Sequence, residues 1–229
     1  MPEQTPVTLN HFAMVRCTDA YWALDGAARA TARRDWLAAV GAAAQATHLY
    51  QLFGLEAGHD LLVWTARRAE DPAAAGDFFT RWAAAFAPFR RVLEVRDTLW
   101  GFTQPSQYTR TRSTQELDPF APARRPYLVA YPFVKTTDWY LLDRDARQSL
   151  MGGHIKTGKQ YPDITQLLLY SYGLQDQEFV VVYETEDLMR FLSLVQDLRG
   201  TEARRYTERD APLHAGRLVR DAAELDTWL

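Results

Sequence analysis

The chain has 229 residues, 47% hydrophobic and 24% charged, with a net charge of -3 and a pI near 6.0. That is enough chain for a sizeable core in one large domain or two small ones, and its mild acidity counts against nucleic acid as a partner, because phosphate binding needs a basic surface. No apolar run is long enough to span a bilayer, the first five residues do not read as a signal peptide, and the single cysteine, Cys17, excludes an internal disulfide or a thiolate cluster, so the expectation is a cytoplasmic protein off the membrane.

In chain order, residues 1–8 read as a loose lead-in and His11–Arg16 as a strand. Asp25 reads as the N-cap of an alanine-rich helix running toward Ala46, its carboxylate accepting from free backbone N–H groups. His48–Phe53 and Asp60–Thr65 read as strands around a Gly54–Gly58 turn. Asp71-Pro72 opens a second helix, which carries Phe78, Phe79, Trp82 and Phe86 at helical spacing. Leu93–Phe102 is a fourth strand, and the order β-α-β-β-α-β is that of a ferredoxin-like unit. The proline-bearing polar stretch after it reads as a linker.

The order then repeats. Tyr127–Val134 is a strand, Asp143 caps a helix to about Thr157, and Thr165–Tyr172 and Glu178–Glu184 are strands around a Gly173–Gln177 turn. Glu186–Leu198 is a helix, and Ala203–Val219 holds the last strand. Gly54 and Gly173, Thr18 and Thr137, and Asp19 and Asp138 are each 119 residues apart. The expected architecture is α+β: two ferredoxin-like halves, 9–103 and 126–220, joined by a linker at 104–125, with sheet edges buried between the halves or against other subunits. At the same offset the first half carries Asp35 where the second carries His154, so the fold does not require the histidine.

The second half also carries the candidate chemistry. Arg147, Leu150 and His154 share a helix face, with Met151 beside them and Gly152-Gly153 just before the histidine. Glycine within a helix costs about 1 kcal/mol against alanine, so the pair suggests either close approach of a flat ligand or a helix about to end. A lone histidine on such a face is more often packed or solvated than a ligand. On the preceding strand Tyr127, Val129, Tyr131, Phe133 and Lys135 share a face; Tyr131 and Lys135 together offer a phenol and an ammonium suited to a carboxylated ligand. Singly, each is explained as core or as a solvated strand end. Gln166 is an amide in an apolar strand, satisfied by neighbours or aimed at a ligand. Arg204, Arg205 and Arg209 near the last strand could grip carboxylates. No phosphate-binding, dinucleotide-binding, nucleophile-elbow or HExxH motif occurs. The other histidines, His11, His48, His59 and His214, form no convincing metal cluster in the sequence, with His48 a distant second candidate for the ligand pocket.

The pieces "YPFVK", "DWYLLDRDAR", "LMGGH", "YPDI", "GLQDQEFVVVYE" and "RRYTERD", running from Tyr127 through Gly216, resemble the chlorite dismutase superfamily; the first half agrees with it mainly in architecture. The resemblance implies duplicated ferredoxin-like domains forming a dimeric α+β barrel, with haem in the C-terminal half only. It implies His154 as the iron ligand and a ring of subunits, commonly a homopentamer. Chlorite dismutases carry a distal arginine at the position of Gln166, and no arginine occurs between His154 and Gly173, which counts against chlorite decomposition. Coproheme decarboxylases can have glutamine there and a reactive tyrosine in a "YPxxK" segment, matched by Tyr131 and Lys135. The actinobacterial branch, which the spacing resembles most, is expected to have a distal histidine in the linker; residues 103–125 contain none.

The resemblance therefore implies peroxide-dependent oxidative decarboxylation of two propionates of coproheme to give haem b, with coproheme as both substrate and cofactor and hydrogen peroxide as oxidant. Tyr131 would supply the radical that takes a hydrogen from a propionate, Gln166 would steer peroxide, and Lys135, Arg125 and Arg205 would hold propionates. The alternatives are a haem peroxidase or chlorite-decomposing enzyme of the same superfamily, a non-catalytic haem-binding protein, and a ferredoxin-like module that binds no haem.

Overall fold

The computed structural model describes residues 7–108 and 113–229; the lead-in expected over residues 1–8 lies mostly outside the described residues. The first half runs β1 (Thr8–Cys17), α1 (Asp19–Trp22), α2 (Gly26–Ala43), β2 (Ala46–Gln51), β3 (Leu61–Arg68), α3 (Ala74–Phe86) and β4 (Leu93–Phe102). The second runs β5 (Tyr127–Lys135), α4 (Thr137–Leu141), α5 (Arg144–Gly158), β6 (Thr165–Tyr170), β7 (Phe179–Thr185), α6 (Leu188–Arg199), β8 (Thr207–Arg209), β9 (His214–Leu218) and α7 (Ala222–Leu225). Asp25 and Asp143 cap α2 and α5 as their chemistry predicts, accepting from the amides of Ala28 and Ala146 at 2.8 and 2.7 Å. Asp71 instead closes a turn on the Ala73 amide at 2.7 Å, so α3 starts later than the Asp71-Pro72 pair suggests. The Ala203–Val219 stretch holds the last strand, β9, preceded by a 3-10 turn (Glu202–Tyr206) and the short β8.

The strands pair in the orders β4-β1-β3-β2 and β6-β7-β5-β9, the same pattern twice. Edge strand β4 then pairs with β6, and β2 with β9, closing the two sheets into one barrel, while β8 hangs on β5. Closure pairs the backbone edges each half would otherwise expose. Both seams are tight. A Cβ on Gly101 would sit 2.5 Å from the Ser171 hydroxyl, and one on Gly216 would sit 2.7 Å from Tyr50 Cβ, so each seam passes a glycine.

Alternation along the strands divides the core in two directions. Inward residues of both halves, among them Phe12, Tyr50, Trp64, Leu128, Leu169 and Val182, fill the barrel. Tyr50 donates to Glu184 Oε1 at 2.8 Å there, and Arg124 Nη1 lies 3.5 Å from the same oxygen, linking the halves through buried polar groups. Outside, α2 and α3 pack on the first sheet through Trp36, Val40 and Phe86. The linker is less loose than its composition suggests. Leu117 enters the barrel core, and residues 115–117 run beside β6 as a short parallel bridge, with Gln166 N–H donating to the Gln115 carbonyl at 2.7 Å. Among the described residues no helix is long and apolar enough to cross a membrane.

Candidate functional site

The two halves differ in how their first long helix meets the sheet. Measured from the capping aspartates, His154 and Trp36 occupy the same place, each eleven residues after its cap. The helices thus correspond at an offset of 118 rather than 119, and the counterpart of His154 is Trp36, not Asp35. In the first half the indole is 2% exposed and fills the space between α2 and the sheet, with Arg33, Val40 and Ala43 also buried on that helix. No residue of α5 is fully buried, and none joins the outer core of the second half, which consists of Val129, Tyr161, Ile164, Tyr183, Phe191 and Leu194. A repeated architecture that buries one helix fully and its twin only in part leaves part of the second sheet's outer face open.

Register identifies that face, because residues directly opposite across an antiparallel pair point to the same side. Tyr131 pairs with Val181 and Val181 with Leu168; Val129 pairs with Tyr183 and Tyr183 with Gln166. Tyr131, Tyr183, Gln166 and Leu168 therefore share the outer face. Leu168 is 43% exposed there, an uncovered apolar side chain in mid-sheet, and Gln166 is exposed as well. A Cβ on Gly152 or Gly153 would meet nothing within 4 Å, so packing within the chain does not account for that glycine pair.

The electrostatics at this face are set by burial. The His154 imidazole is pushed down to about 4, first by desolvation and then by the nearby Lys135 ammonium, so it is neutral with a free lone pair at physiological pH. Lys135 is 9% exposed, with its ammonium 4.3 Å from the Trp139 ring centroid and 5.1 Å from that of Phe133. Desolvation lowers it to about 8, Arg204 pushes the same way, and Glu178 opposes them. Burial holds the Tyr131 phenol well above its ordinary 10, and the Tyr183 hydroxyl to which it is hydrogen-bonded and the charge of Asp210 add to this; Arg199 opposes. Tyr131 is thus a neutral O–H donor at any physiological pH.

Not every candidate from the sequence comes to this face. His154, Lys135 and Tyr131 do, and Gln166 shares the sheet face with Tyr131. Arg125 sits before the opposite end of β5 from Lys135, paired with Glu186 at 3.4 Å. Arg205 is turned to solvent on Glu202 at 2.7 Å. Arg204 rather than Arg205 faces Lys135, held by Asp210 at 2.5 Å. His48 lies in the first half, bonded to the Pro119 carbonyl at 2.8 Å. The sequence reading missed Tyr183 and Asp210. Tyr183 was visible as an aromatic of a strand pairing with β5, whereas nothing local marks Asp210. The linker flanks the site: the Tyr108 carbonyl accepts from Gln148 of α5 at 3.2 Å, and Gln115 donates to the carbonyls of Tyr161 and Ile164 at 2.8 and 3.1 Å. Chemically, the face offers a neutral imidazole, a titratable amine and a protonated phenol around an apolar surface.

A family model described as chlorite dismutase matches residues 27–219. The coproheme decarboxylase of Mycolicibacterium smegmatis is 28% identical over 174 residues, covering 73% of this chain and 71% of its own. That of Thermus thermophilus is 27% identical over 202 residues, covering 83% and 78%. The chlorite dismutase of Candidatus Nitrospira defluvii, solved with imidazole, superposes with a TM-score of 0.80 at 24% identity over 96% of this chain and 94% of that one. The chain belongs to the chlorite dismutase family.

Proposed function

We propose that this member of the chlorite dismutase family is a peroxide-dependent coproheme decarboxylase. The observation that carries the reading is the pairing of a neutral His154 imidazole with Lys135 and a protonated Tyr131 at a sheet face its own helix leaves partly open. These residues fit an iron porphyrin with acidic arms. The apolar face around Leu168 suits the macrocycle, His154 offers a metal ligand that needs no deprotonation, and Lys135 with Arg204 offers cations for propionates.

When bound, the porphyrin iron supplies the oxidising equivalents drawn from hydrogen peroxide. The rest of the chemistry falls to the chain. Tyr131 cannot ionise first, so it gives up its electron and phenolic proton together. The resulting phenoxyl takes a hydrogen atom from the propionate carbon next to the ring, which restores the phenol. Removal of a second electron from that carbon releases the carboxylate as carbon dioxide and leaves a vinyl group. Each turn consumes one propionate, one peroxide and one proton, and yields one carbon dioxide, one vinyl and two waters. Lys135, poised near 8, can hold the carboxylate as an ammonium and provide the proton. Gln166 brings a neutral amide in place of a cation, which favours peroxide over chlorite as the small substrate. A ring of like subunits in the cytoplasm belongs to the same proposal, and light scattering reads its size.

The test mixes the purified protein with ferric coproheme, titrates in hydrogen peroxide and follows products by mass spectrometry. Stepwise loss of two carbon dioxide equivalents through a three-propionate intermediate supports the reading. Coproheme that binds and is only bleached refutes it.

A further inference from the structure

We propose that the chain carries a second metal site, unrelated to the porphyrin face, in which Glu56, His59 and His214 bind a divalent transition metal of the zinc class. The sequence suggested no such cluster because His214 lies 158 residues beyond Glu56. Glu56 and His59 sit on the β2–β3 loop, which Gly54 and Gly58 turn through positive φ, and His214 opens β9 in the other half. The candidate ligand atoms all lie within 4.8 Å of one another. His214 Nδ1 is 2.9 and 3.1 Å from the two Glu56 oxygens, and His59 Nδ1 is 2.6 Å from Oε1.

The placement of the donor atoms suits a cation. Asp97 Oδ2 lies 3.1 Å from His59 Nε2, and a carboxylate only accepts, so the Nε2 proton points to Asp97. Nδ1 is then the ring nitrogen turned to the Glu56 carboxylate. His59 Nδ1 is buried and makes no hydrogen bond despite its closeness to Glu56. A metal ion between the groups would be coordinated by Nδ1 and the carboxylate together. Two imidazoles and a carboxylate are a zinc-type donor set, and an outer carboxylate on the far nitrogen of a ligating histidine is the usual support. With bonds of about 2.1 Å, ligand atoms around a tetrahedral ion stand roughly 3.4 Å apart, so an ion needs these contacts to open by about 0.3–0.8 Å. Three protein ligands leave one position for water.

The site is separate from His154. His214 pairs with Ala130 and Asp97 with Met14, both lining the barrel interior, whereas His154 stands on an outer helix. A bound ion would tie the β2–β3 loop to β9 across the two halves.

The test uses Co2+ and Zn2+ on the full chain stripped by chelator and dialysis. One equivalent of Co2+ with visible ligand-field bands, displaced by Zn2+, is expected. Uptake should vanish in Glu56→Gln and His59→Ala and persist in His154→Ala. Asp97→Asn, at an exposed carboxylate, should fold normally and bind 10–100-fold more weakly. Zn2+ at a hundredfold excess over its dissociation constant should raise Tm by roughly 5–10 °C. Uptake below about a tenth of an equivalent, or uptake lost in His154→Ala and kept in the cluster variants, overturns the proposal; a cluster held by protons alone gives the first of these results.

Discussion

Lys135 is expected to lower the stability of the ligand-free protein while serving its function, and Lys135→Met separates the two effects. Holding the ammonium at about 8 instead of its ordinary 10.5 corresponds to about 3 kcal/mol of disfavoured charge, at roughly 1.4 kcal/mol per pH unit. Below pH 8 both folded and unfolded chains are protonated at this residue, and the cost is present in full. Between 8 and 10.5 the unfolded chain binds more protons, so stability climbs with pH across that window and the cost fades. Methionine keeps the apolar stem against Trp139 and loses the cation–π contacts, worth about 0.5–2 kcal/mol. The net expectation at pH 7 is a gain of about 1–2.5 kcal/mol, or roughly 2–10 °C in Tm for a chain of this size, accompanied by loss of decarboxylation. Calorimetric or fluorescence melts of both proteins from pH 6.5 to 10.5 read the gain and its disappearance at the alkaline end. A variant less stable than the parent at pH 7, or a gain that does not change with pH, would show that Lys135 is not held at a desolvation cost.

Tyr131→Phe should abolish carbon dioxide release in the coproheme assay while the protein folds, at a stability cost of about 1–2 kcal/mol from the orphaned Tyr183 hydroxyl; retained turnover would exclude a phenoxyl step. Tyr183→Phe removes the partner of that phenol and should slow decarboxylation several-fold without changing coproheme affinity by titration. His154 titrates near 4, so ferric coproheme affinity should be flat from pH 8 to about 5 and weaken tenfold per pH unit below 4; His154→Ala should lose most of it throughout. Trp36→Ala should cost about 3–5 kcal/mol in urea denaturation, whereas Leu150→Ala on the partly buried twin helix should cost under about 1 kcal/mol.

Local chemistry made much of the fold legible. Capping aspartates, turn glycines and alternating apolar residues act over a few neighbours, so Asp25, Asp143, Gly54, Gly173 and the β4 limits Leu93 and Phe102 could be read in place. The duplication was equally visible, because two copies of one pattern need no tertiary information to compare. The 119-residue offset failed at the long helices, where the caps are 118 apart, since one residue gained or lost in a loop shifts a count without shifting a fold. The segment between β4 and β5 connects the halves, but its composition reports average polarity and does not show that one leucine, Leu117, enters the core.

By itself the sequence determined the element types, the repeat and the set of reactive residue types in the second half. Only the tertiary structure decided which of them meet. Closure of the barrel and the partly open face beneath α5, the choice of Arg204 over Arg205, the Tyr131–Tyr183 pair, and the meeting of Glu56 and His59 with His214 each join residues through sheet register or helix packing between distant parts of the chain. Those contacts depend on where each strand lands against its partner. The resulting burial, which lowers His154 and Lys135 and raises Tyr131, follows from the same packing.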